Sequence, residues 1–356
     1  MTTVSARTGT PIPGFVIGFA VIIALTLLTL EIDRLAAGFF RAQGVAQNPF
    51  EYPLTAALVG LIANAVLKLT GFYQHIRPAV RTEFYLKIGV ILLGARISIG
   101  DLLATGAGGL LQALIMVTSV FFFTWWLGGR LKLPHTLRAV MSSAVSICGV
   151  SAAIAAAGSV QAKKEEIAYV TALVIVTALP LMALMPFLAG ALGLAPDVAG
   201  AWFGGNIDTT AAVIGAGTIY GEEAQQVAAV VKSSQNVLMG FVAFALAVYF
   251  VSVVRKGEGE RPSLSLIWQR FPKFVLGFML MSLLASLGIF APALKSSIAS
   301  LYQFIFALAF VCIGLEFNPG ALRQAGLKPV LVYLAATLFN TVLALIVASV
   351  IFGVLF

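Results

Sequence analysis

Two segments near the middle of the chain, residues 142–151 and 204–210, combine glycine, hydroxyl and amide residues within apolar surroundings. A membrane helix that breaks needs such residues, because its freed backbone groups meet no bulk water. The half-helix that begins at the break points free N–H groups and the positive end of its dipole at one place, where a small anion can bind. The alternative is close helix packing, since small residues also line tight crossings. The candidate anion ligands in these segments are Ser146, Cys148, Gly149, Ser151, Gly205, Asn206, Thr209 and Thr210.

A lysine inside an apolar run adds a positive charge to this pattern. Lys232 lies about 15 Å beyond Glu222 along a helix, and Ser233 and Asn236 follow it as further candidate ligands. A charge at that depth costs free energy and is seldom kept without a function. Lys232 could bind the anion, pair with Asp208 or change its protonation state. The alternative is that its long side chain reaches out to the membrane surface.

Asp208, between the candidate ligands of the second segment, is the matching negative charge. It could bind sodium through its oxygen atoms, carry a proton or neutralise Lys232. The nearby sequence holds no second acid or base, so a hydrolytic role is not expected. We therefore predict that Asp208 and Lys232 couple transport to sodium or protons, and we predict no other cofactor and no metal site.

These residues must be positioned by membrane helices. The chain is 60% hydrophobic and 10% charged, and its apolar runs have the length of helical spans rather than the alternation of a barrel. The sequence predicts an all-α integral membrane protein with about eleven transmembrane helices. The predicted spans are residues 13–30, 53–71, 82–97, 102–128, 135–158, 165–190, 198–219, 222–254, 273–290, 299–315 and 327–355.

The basic residues follow this topology. When Lys and Arg are sorted by alternate sides of eleven spans, most of them fall on the side that carries the N-terminus. The positive-inside rule then predicts a cytoplasmic N-terminus and an external C-terminus. Residues 255–272 become a cytoplasmic linker that faces anionic lipid, and Glu258 and Glu260 interrupt its basic character, so nucleic acid is not an expected partner.

A glycine-marked element occurs twice, 220 residues apart. We predict repeat-like elements at residues 52–128 and 271–350, flanking central segments at 135–254 within one transmembrane domain that covers residues 1–356. Helices that lie seven spans apart run in opposite directions, so the pattern predicts the inverted repeat typical of secondary transporters. Chance similarity of glycine-rich helix ends is the alternative. The paired residues are Gly94 and Gly314, Gly100 and Gly320, Gly106 and Gly326, Phe84 and Phe304, and Pro53 and Pro272.

Enzyme chemistry finds little support in the sequence. The chain contains no metalloprotease, serine hydrolase or phosphate-loop motif, and its two histidines, His75 and His135, fall in predicted loops. We predict that the protein is not an enzyme. Broken central segments and repeats also fit alternating access better than a fixed pore, so a gated anion channel is the weaker hypothesis.

Several stretches resemble the sulfate exporter family of bacterial inner-membrane proteins. They are residues 87–97, the Ser146-Ile147-Cys148-Gly149 stretch with Ala152 and Ala153, residues 163–166, residues 205–209, the Lys232 helix and residues 310–320. The resemblance covers nearly the whole chain from about residue 15. It implies a multi-pass inner-membrane carrier that exports sulfate or a related sulfur oxyanion. A proton- or sodium-coupled carrier of organic anions stays open, because the same donors suit a carboxylate and no arginine cluster provides bidentate recognition. The expected partners are a small anion and membrane lipid, and a homo-oligomer is left open.

Overall fold

The regular elements are all helical in residues 12–42, 51–254, 263–317 and 326–355, which are the residues that the computed structural model describes. The first eight helices are α1 (Ile12–Ala42), α2 (Tyr52–Leu69), α3 (Tyr73–Ile76), α4 (Thr82–Leu93), α5 (Ile99–Arg130), α6 (His135–Ser143), α7 (Val150–Val160) and α8 (Lys164–Ala191). The next eight are α9 (Pro196–Asn206), α10 (Thr210–Tyr220), α11 (Glu222–Val237), α12 (Met239–Tyr249), α13 (Ser265–Arg270), α14 (Phe274–Ser286), α15 (Pro292–Glu316) and α16 (Leu327–Val350). The all-helical fold class is thus as predicted.

Seven helices in the described ranges are long and apolar enough to cross a membrane. They are α1, α2, α5, α8, the stretch Glu222–Val254 that begins with α11, α15, and α16 with the turn after it. The shorter apolar helices α7, α10 and α14 have 10–17 residues. The predicted spans 82–97, 135–158, 198–219 and 273–290 thus fall on short or interrupted helices, and the count of eleven stays a prediction.

The chain divides into two compact units. Unit 1 comprises residues 1–85 and 304–316, and unit 2 comprises residues 86–303 and 317–356. The single transmembrane domain expected from the sequence stays a prediction. Within the predicted linker, residues 255–262 lie outside the described residues, and α13 occupies most of the remainder.

In unit 1, α2 and the second half of α15 cross at two glycines. A Cβ atom at Gly60 would overlap the Val311 carbonyl, and one at Gly314 would overlap the Ala57 carbonyl. Asn64 on α2 also donates from Nδ2 to the Gly314 carbonyl oxygen, over 3.3 Å. The bare backbones therefore set the distance between these helices.

In unit 2, the end of α4 meets α14 in a comparable way. A Cβ atom at Gly94 would overlap the Phe278 carbonyl, and one at Gly277 would lie 3.0 Å from a side-chain carbon of Ile91. Ser282 on α14 donates from Oγ to the Ile97 carbonyl oxygen at 2.6 Å. Gly94 and Gly314 are the repeated glycines of the sequence, and Gly320 of the second copy lies outside the described residues.

We expect Gly314→Ala to lower the free energy of unfolding by about 1–3 kcal/mol, because the added methyl group forces two backbones apart. The check is thermal unfolding of the purified protein in detergent. Gly190→Ala on α8 is the matched control, since no atom lies within 4 Å of the added Cβ there. Equal melting temperatures for both variants would show that the crossing is not tight.

Glu51, which precedes α2 in unit 1, makes part of the stability depend on pH. Burial, and then the charge of Asp33, raise the pKa of its carboxyl from 4.5 to about 7. The folded protein therefore binds this proton more tightly than the unfolded chain. The stabilisation is complete below the unfolded pKa and is lost as the pH rises through the folded pKa. We expect the melting temperature to fall between about pH 5 and about pH 8, and Glu51→Gln to weaken that fall. Glu223→Gln, at an exposed glutamate of α11, should keep the wild-type profile.

Unit 2 builds a dense bundle around the predicted ion site. The helices α5, α8, α9, α10, α11 and α16 pack on one another. Gly200 and Gly204 of α9 lie directly against Ala224, Ala228 and Val231 of α11. This close approach brings the Lys232 helix against the second broken segment.

Candidate functional site

The first central segment is an interrupted helix, as its composition predicts. After α6, a π-helical turn covers Ala144–Cys148, and α7 begins at Val150. Between them Gly149 adopts φ +59° and ψ −112°. Residues other than glycine rarely adopt this backbone conformation. A Cβ atom at this position would also lie 2.6 Å from Cγ1 of Val174 on α8. Glycine is therefore required at the break for two separate reasons.

The second central segment is interrupted as well. Helix α9 ends at Asn206, and the backbone at Ile207 and Thr209 is extended before α10 begins at Thr210. The Thr209 side chain caps α10, because its Oγ1 accepts a hydrogen bond from the Ala212 N–H at 3.2 Å. This is the usual work of a threonine at a helix N-terminus, and it fixes where the second half-helix starts.

The two breaks meet each other. A Cβ atom at Gly149 would lie 3.3 Å from Cγ2 of Thr209 and 3.4 Å from the Asp208 carbonyl oxygen. The N-terminal ends of α7 and α10 therefore lie side by side, and each contributes free N–H groups and the positive end of a helix dipole. The structure thus brings together the two anion-binding elements that the sequence predicts separately.

We expect Gly149→Ala to destabilise the protein by about 2–4 kcal/mol, combining backbone strain with overpacking. Adding Val174→Ala should recover only the packing part, because the strained backbone remains. The measurement is the melting temperature of the single and the double variant in detergent. Full recovery in the double variant would mean that the positive φ carries no cost.

Asp208 lies beside the paired N-terminal ends and is 1% exposed. Its Oδ2 accepts a hydrogen bond from the hydroxyl of Tyr333 on α16, at 2.6 Å. Its Oδ1 is buried and has no hydrogen-bond partner among the residues that the structure describes. The residue directly precedes the α10 cap Thr209, and its carboxylate keeps one oxygen atom without a hydrogen bond from any described residue.

Lys232 is 1% exposed and lies at the carbonyl end of the first broken helix. Its Nζ donates to the Ile147 carbonyl oxygen and to Oε1 of Gln235, the latter at 2.8 Å. Gln235 in turn donates from Nε2 to the Ser146 carbonyl oxygen at 2.8 Å. The lysine and the glutamine therefore satisfy carbonyl groups that the first break leaves without a helical partner. A lysine so placed does not extend to the surface.

The proposed ion pair between Lys232 and Asp208 does not form in the described part of the chain. The Lys232 ammonium bonds Ile147 and Gln235, and the Asp208 carboxylate bonds Tyr333. The carbonyl groups freed by the break are nearer acceptors for the ammonium than the carboxylate is.

Asn340 on α16 joins both breaks and is not among the residues predicted from the sequence. Its Nδ2 donates to the Asn206 carbonyl oxygen at 2.7 Å and to the Val145 carbonyl oxygen at 3.4 Å. Thr341 Oγ1 donates to Asn206 Oδ1 at 3.0 Å. The C-terminal ends that precede the two breaks therefore also lie side by side. A signal for this face existed, because Tyr333, Thr337, Asn340 and Thr341 recur at helical spacing in an otherwise apolar helix.

The other predicted ligands surround the same crossing. Ser146 Oγ donates to the Ser142 carbonyl oxygen at 2.7 Å, and Asn236 Nδ2 donates to Thr210 Oγ1 at 3.3 Å. Cys148 Sγ lies 3.9 Å from Met239 Sδ. Gly205 lies against Gln112 of α5, and Ser151 lies in the first turn of α7.

Several buried polar atoms near the crossing make no hydrogen bond within the described ranges. Buried polar groups are normally paired, so each of these atoms is a candidate partner for an ion, a water molecule or a proton. Among the residues that the structure describes, no group of three or more His, Cys, Asp or Glu could hold a metal ion. The unpaired atoms are Ser142 Oγ, Ser143 Oγ, Asp208 Oδ1, Ser233 Oγ, Asn236 Oδ1 and Asn340 Oδ1.

A second charged feature of unit 2 lies at the start of the Lys232 helix. Arg96 pairs with Glu222, the first residue of α11. Arg96 also lines a cavity of about 320 Å³ together with Ala95, Lys295 and Ser296. In the repeat, Arg96 matches Glu316 of unit 1 in position and opposes it in charge.

Comparison with known proteins assigns the chain to a family. Residues 26–333 match the model of a family described as Conserved hypothetical protein 698. The chain belongs to this family. A UPF0324 membrane protein of Rhodopirellula baltica is 42% identical over 320 residues, which cover 86% of this chain and 58% of the relative. A UPF0324 membrane protein of Nitratidesulfovibrio vulgaris is 38% identical over 365 residues, which cover 98% and 61%. No solved structure matches the chain.

The relatives indicate that the chain is a membrane protein. The chain spans about three-fifths of the length of the two relatives. Their names describe membrane proteins and give no substrate. This member of the Conserved hypothetical protein 698 family is therefore a membrane protein with several apolar helices, and sulfate export stays an expectation from the resemblance.

Proposed function

We propose that the protein is a secondary transporter that moves a small anion by alternating access, with sulfate or a related sulfur oxyanion as the first candidate. The observation that carries this proposal is the crossing of two interrupted helices, whose N-terminal ends lie together at Gly149 and Thr209. Interrupted helices that meet near the middle of the membrane form the usual binding site of secondary transporters, and paired N-terminal ends suit an anion.

The glycine crossings support a carrier with an inverted repeat. Gly314 of the second copy packs on α2 of the first copy, and Gly94 of the first copy packs on α14 of the second. When a two-fold axis relates two copies, a contact of the first copy with the second recurs as the same contact of the second copy with the first. An inverted repeat also fits a protein with eleven membrane crossings and two broken central segments. Such a protein functions by changing conformation around a substrate rather than by enzyme chemistry.

The substrate class within anions depends on the donors. Backbone N–H groups and hydroxyls bind a tetrahedral oxyanion or a carboxylate about equally well. A coupled carrier of organic anions is therefore the second candidate, and the buried Asp208 is the observation that favours coupling. A gated anion channel is the third candidate. Its flux would rise linearly with anion concentration and would show no counterflow.

The membrane orientation belongs to the same proposal. We place the protein in the bacterial inner membrane with a cytoplasmic N-terminus and an external C-terminus, because basic residues favour the cytoplasmic side. Reporter fusions after residue 262 and at the C-terminus test this placement. A cytoplasmic C-terminal reporter would require an even number of crossings and would overturn the eleven-span topology.

Counterflow in proteoliposomes tests the function. Vesicles with the purified protein are loaded with unlabelled sulfate, sulfite, methanesulfonate or succinate, and uptake of the same labelled anion is followed. We expect saturable exchange for at least one of these anions, at a rate at least tenfold above protein-free vesicles. Linear, non-saturating flux would favour the channel, and no flux for the whole panel would overturn anion transport.

A further inference from the structure

The helix ends at the crossing carry partial charges that can be added. Helices α7 and α10 begin there, and each N-terminal end carries about half a positive elementary charge. The π-helical turn after α6 and the end of α9 contribute two matching negative ends, held together by Asn340. One carboxylate is enough to balance the positive pair, and one ammonium is enough to balance the negative pair.

Asp208 and Lys232 are the charged residues that lie beside these two pairs of helix ends. Asp208 precedes α10, and its carbonyl oxygen approaches Gly149 at the start of α7. Lys232 donates to the Ile147 carbonyl oxygen at the negative pair and is further held by Gln235. The ammonium is therefore committed to the carbonyl groups, and the carboxylate is the charge that responds when an anion enters.

We propose that the ionised Asp208 carboxylate takes the charge position of the transported anion, so that the anion binds only after Asp208 has bound a proton. This inference rests on the proposed function and adds the coupling ion. The proton comes from water to a carboxylate oxygen, no bond forms between proton and anion, and both leave on the other side of the membrane. One proton therefore accompanies each anion in the same direction.

The hydrogen bonds of Asp208 suit this role. Tyr333 donates to Oδ2, while Oδ1 is buried without a hydrogen-bond partner in the described part of the chain and can take the proton. The Thr177 hydroxyl of α8 also faces the carboxylate but donates to the Leu173 carbonyl oxygen. The titratable groups that face Asp208 are Tyr333 on α16 and Lys232 on α11, and Cys148 faces Lys232. Asp208 is the only carboxylate among these groups, and a second negative charge beside it would stay unbalanced in a buried site.

Proton movement in vesicles tests the coupling. Proteoliposomes enclose a pH-sensitive dye, the membrane potential is clamped to zero, and an inward gradient of the anion that showed counterflow is applied. We expect the wild type to acidify the lumen as the anion enters. Asp208→Asn resembles the protonated side chain and still accepts from Tyr333. It should lose proton movement by at least tenfold, measured relative to the anion exchange that the variant retains.

A binding measurement covers the case in which Asp208→Asn no longer transports. We expect sulfate, at concentrations above its half-saturation, to raise the melting temperature of the wild type at pH 5.5 but not at pH 8.5. The same protection of Asp208→Asn should be equal at both values. Asp197→Asn, near the start of α9 and away from the break, is the matched control and should behave as the wild type does.

Each outcome has a separate meaning. Counterflow without proton movement in the wild type would overturn the coupling and leave anion transport intact. Protection that depends on pH in both the wild type and Asp208→Asn would also overturn it, as would acidification that requires sodium. No counterflow and no protection by any anion of the panel would overturn the proposed function together with this inference.

Discussion

Lys232→Met should abolish anion counterflow and lower the free energy of unfolding by about 2–4 kcal/mol. Methionine nearly preserves the volume of the side chain but cannot donate to the Ile147 carbonyl oxygen or to Gln235. The substitution also removes the ammonium that lies against the negative end of the first broken helix, which leaves its carbonyl groups without a charged partner in a buried site. The first break then loses the contact that holds it in place.

Two measurements check this expectation. Thermal unfolding in detergent gives the loss of stability, and counterflow of folded protein gives the loss of transport. Lys164→Met, at an exposed lysine in the first turn of α8, is the matched control and should change neither. Wild-type counterflow by Lys232→Met would show that the lysine serves neither the break nor the site.

The breaks themselves were predictable from the sequence. Gly149 and the stretch from Asn206 to Thr209 interrupt apolar runs with residues that favour turns and caps, and this is a local signal. A helix end depends mainly on its own few residues, so composition is enough to locate it. The lengths of the short helices could not be predicted as well, because an apolar run does not show where its hydrogen bonds stop.

The meeting of the two breaks was not predictable. The helices α7, α8 and α9 separate Gly149 from Thr209 in the sequence. No local pattern fixes which face of α7 turns towards α10. For the same reason Lys232 and Asp208 are paired when they are judged from the sequence alone. Opposite charges in one region suggest an ion pair, but the carbonyl groups of a broken helix are competing acceptors that only the packed structure reveals.

The polar face of α16 was also predictable in part, since its residues can be read from the sequence but the neighbours that it contacts cannot. A polar stripe containing Tyr333 and Asn340 can be read from the spacing of residues in an apolar helix. Its direction cannot, because a stripe could face a neighbouring helix, a second copy or an aqueous path. The packing of α16 on α9 and α5 decides this, with the Trp202 indole donating to the Thr341 carbonyl oxygen at 2.9 Å as one of the contacts.

Asn340→Leu tests whether α16 holds the crossing together. Leucine has a similar size but offers no donor, so the Asn206 and Val145 carbonyl oxygens lose the amide that joins them. Each buried carbonyl left unpaired costs about 1–3 kcal/mol, and we expect a total destabilisation of about 2–4 kcal/mol. Because the two negative helix ends are then free to separate, counterflow should fall by at least tenfold even in the protein that remains folded.

The same helix supplies the control for that experiment. Leu338, two residues before Asn340, is 66% exposed, and Leu338→Ala should leave both stability and counterflow near wild type. Thr341→Val removes the contact to the Asn206 side chain but keeps Asn340 in place, so it should cost less than Asn340→Leu in both measurements. If Asn340→Leu transports normally after a loss of stability alone, the amide only fastens α16 to the bundle, and the alignment of the broken helices must come from Gly149 and the close α9–α11 packing.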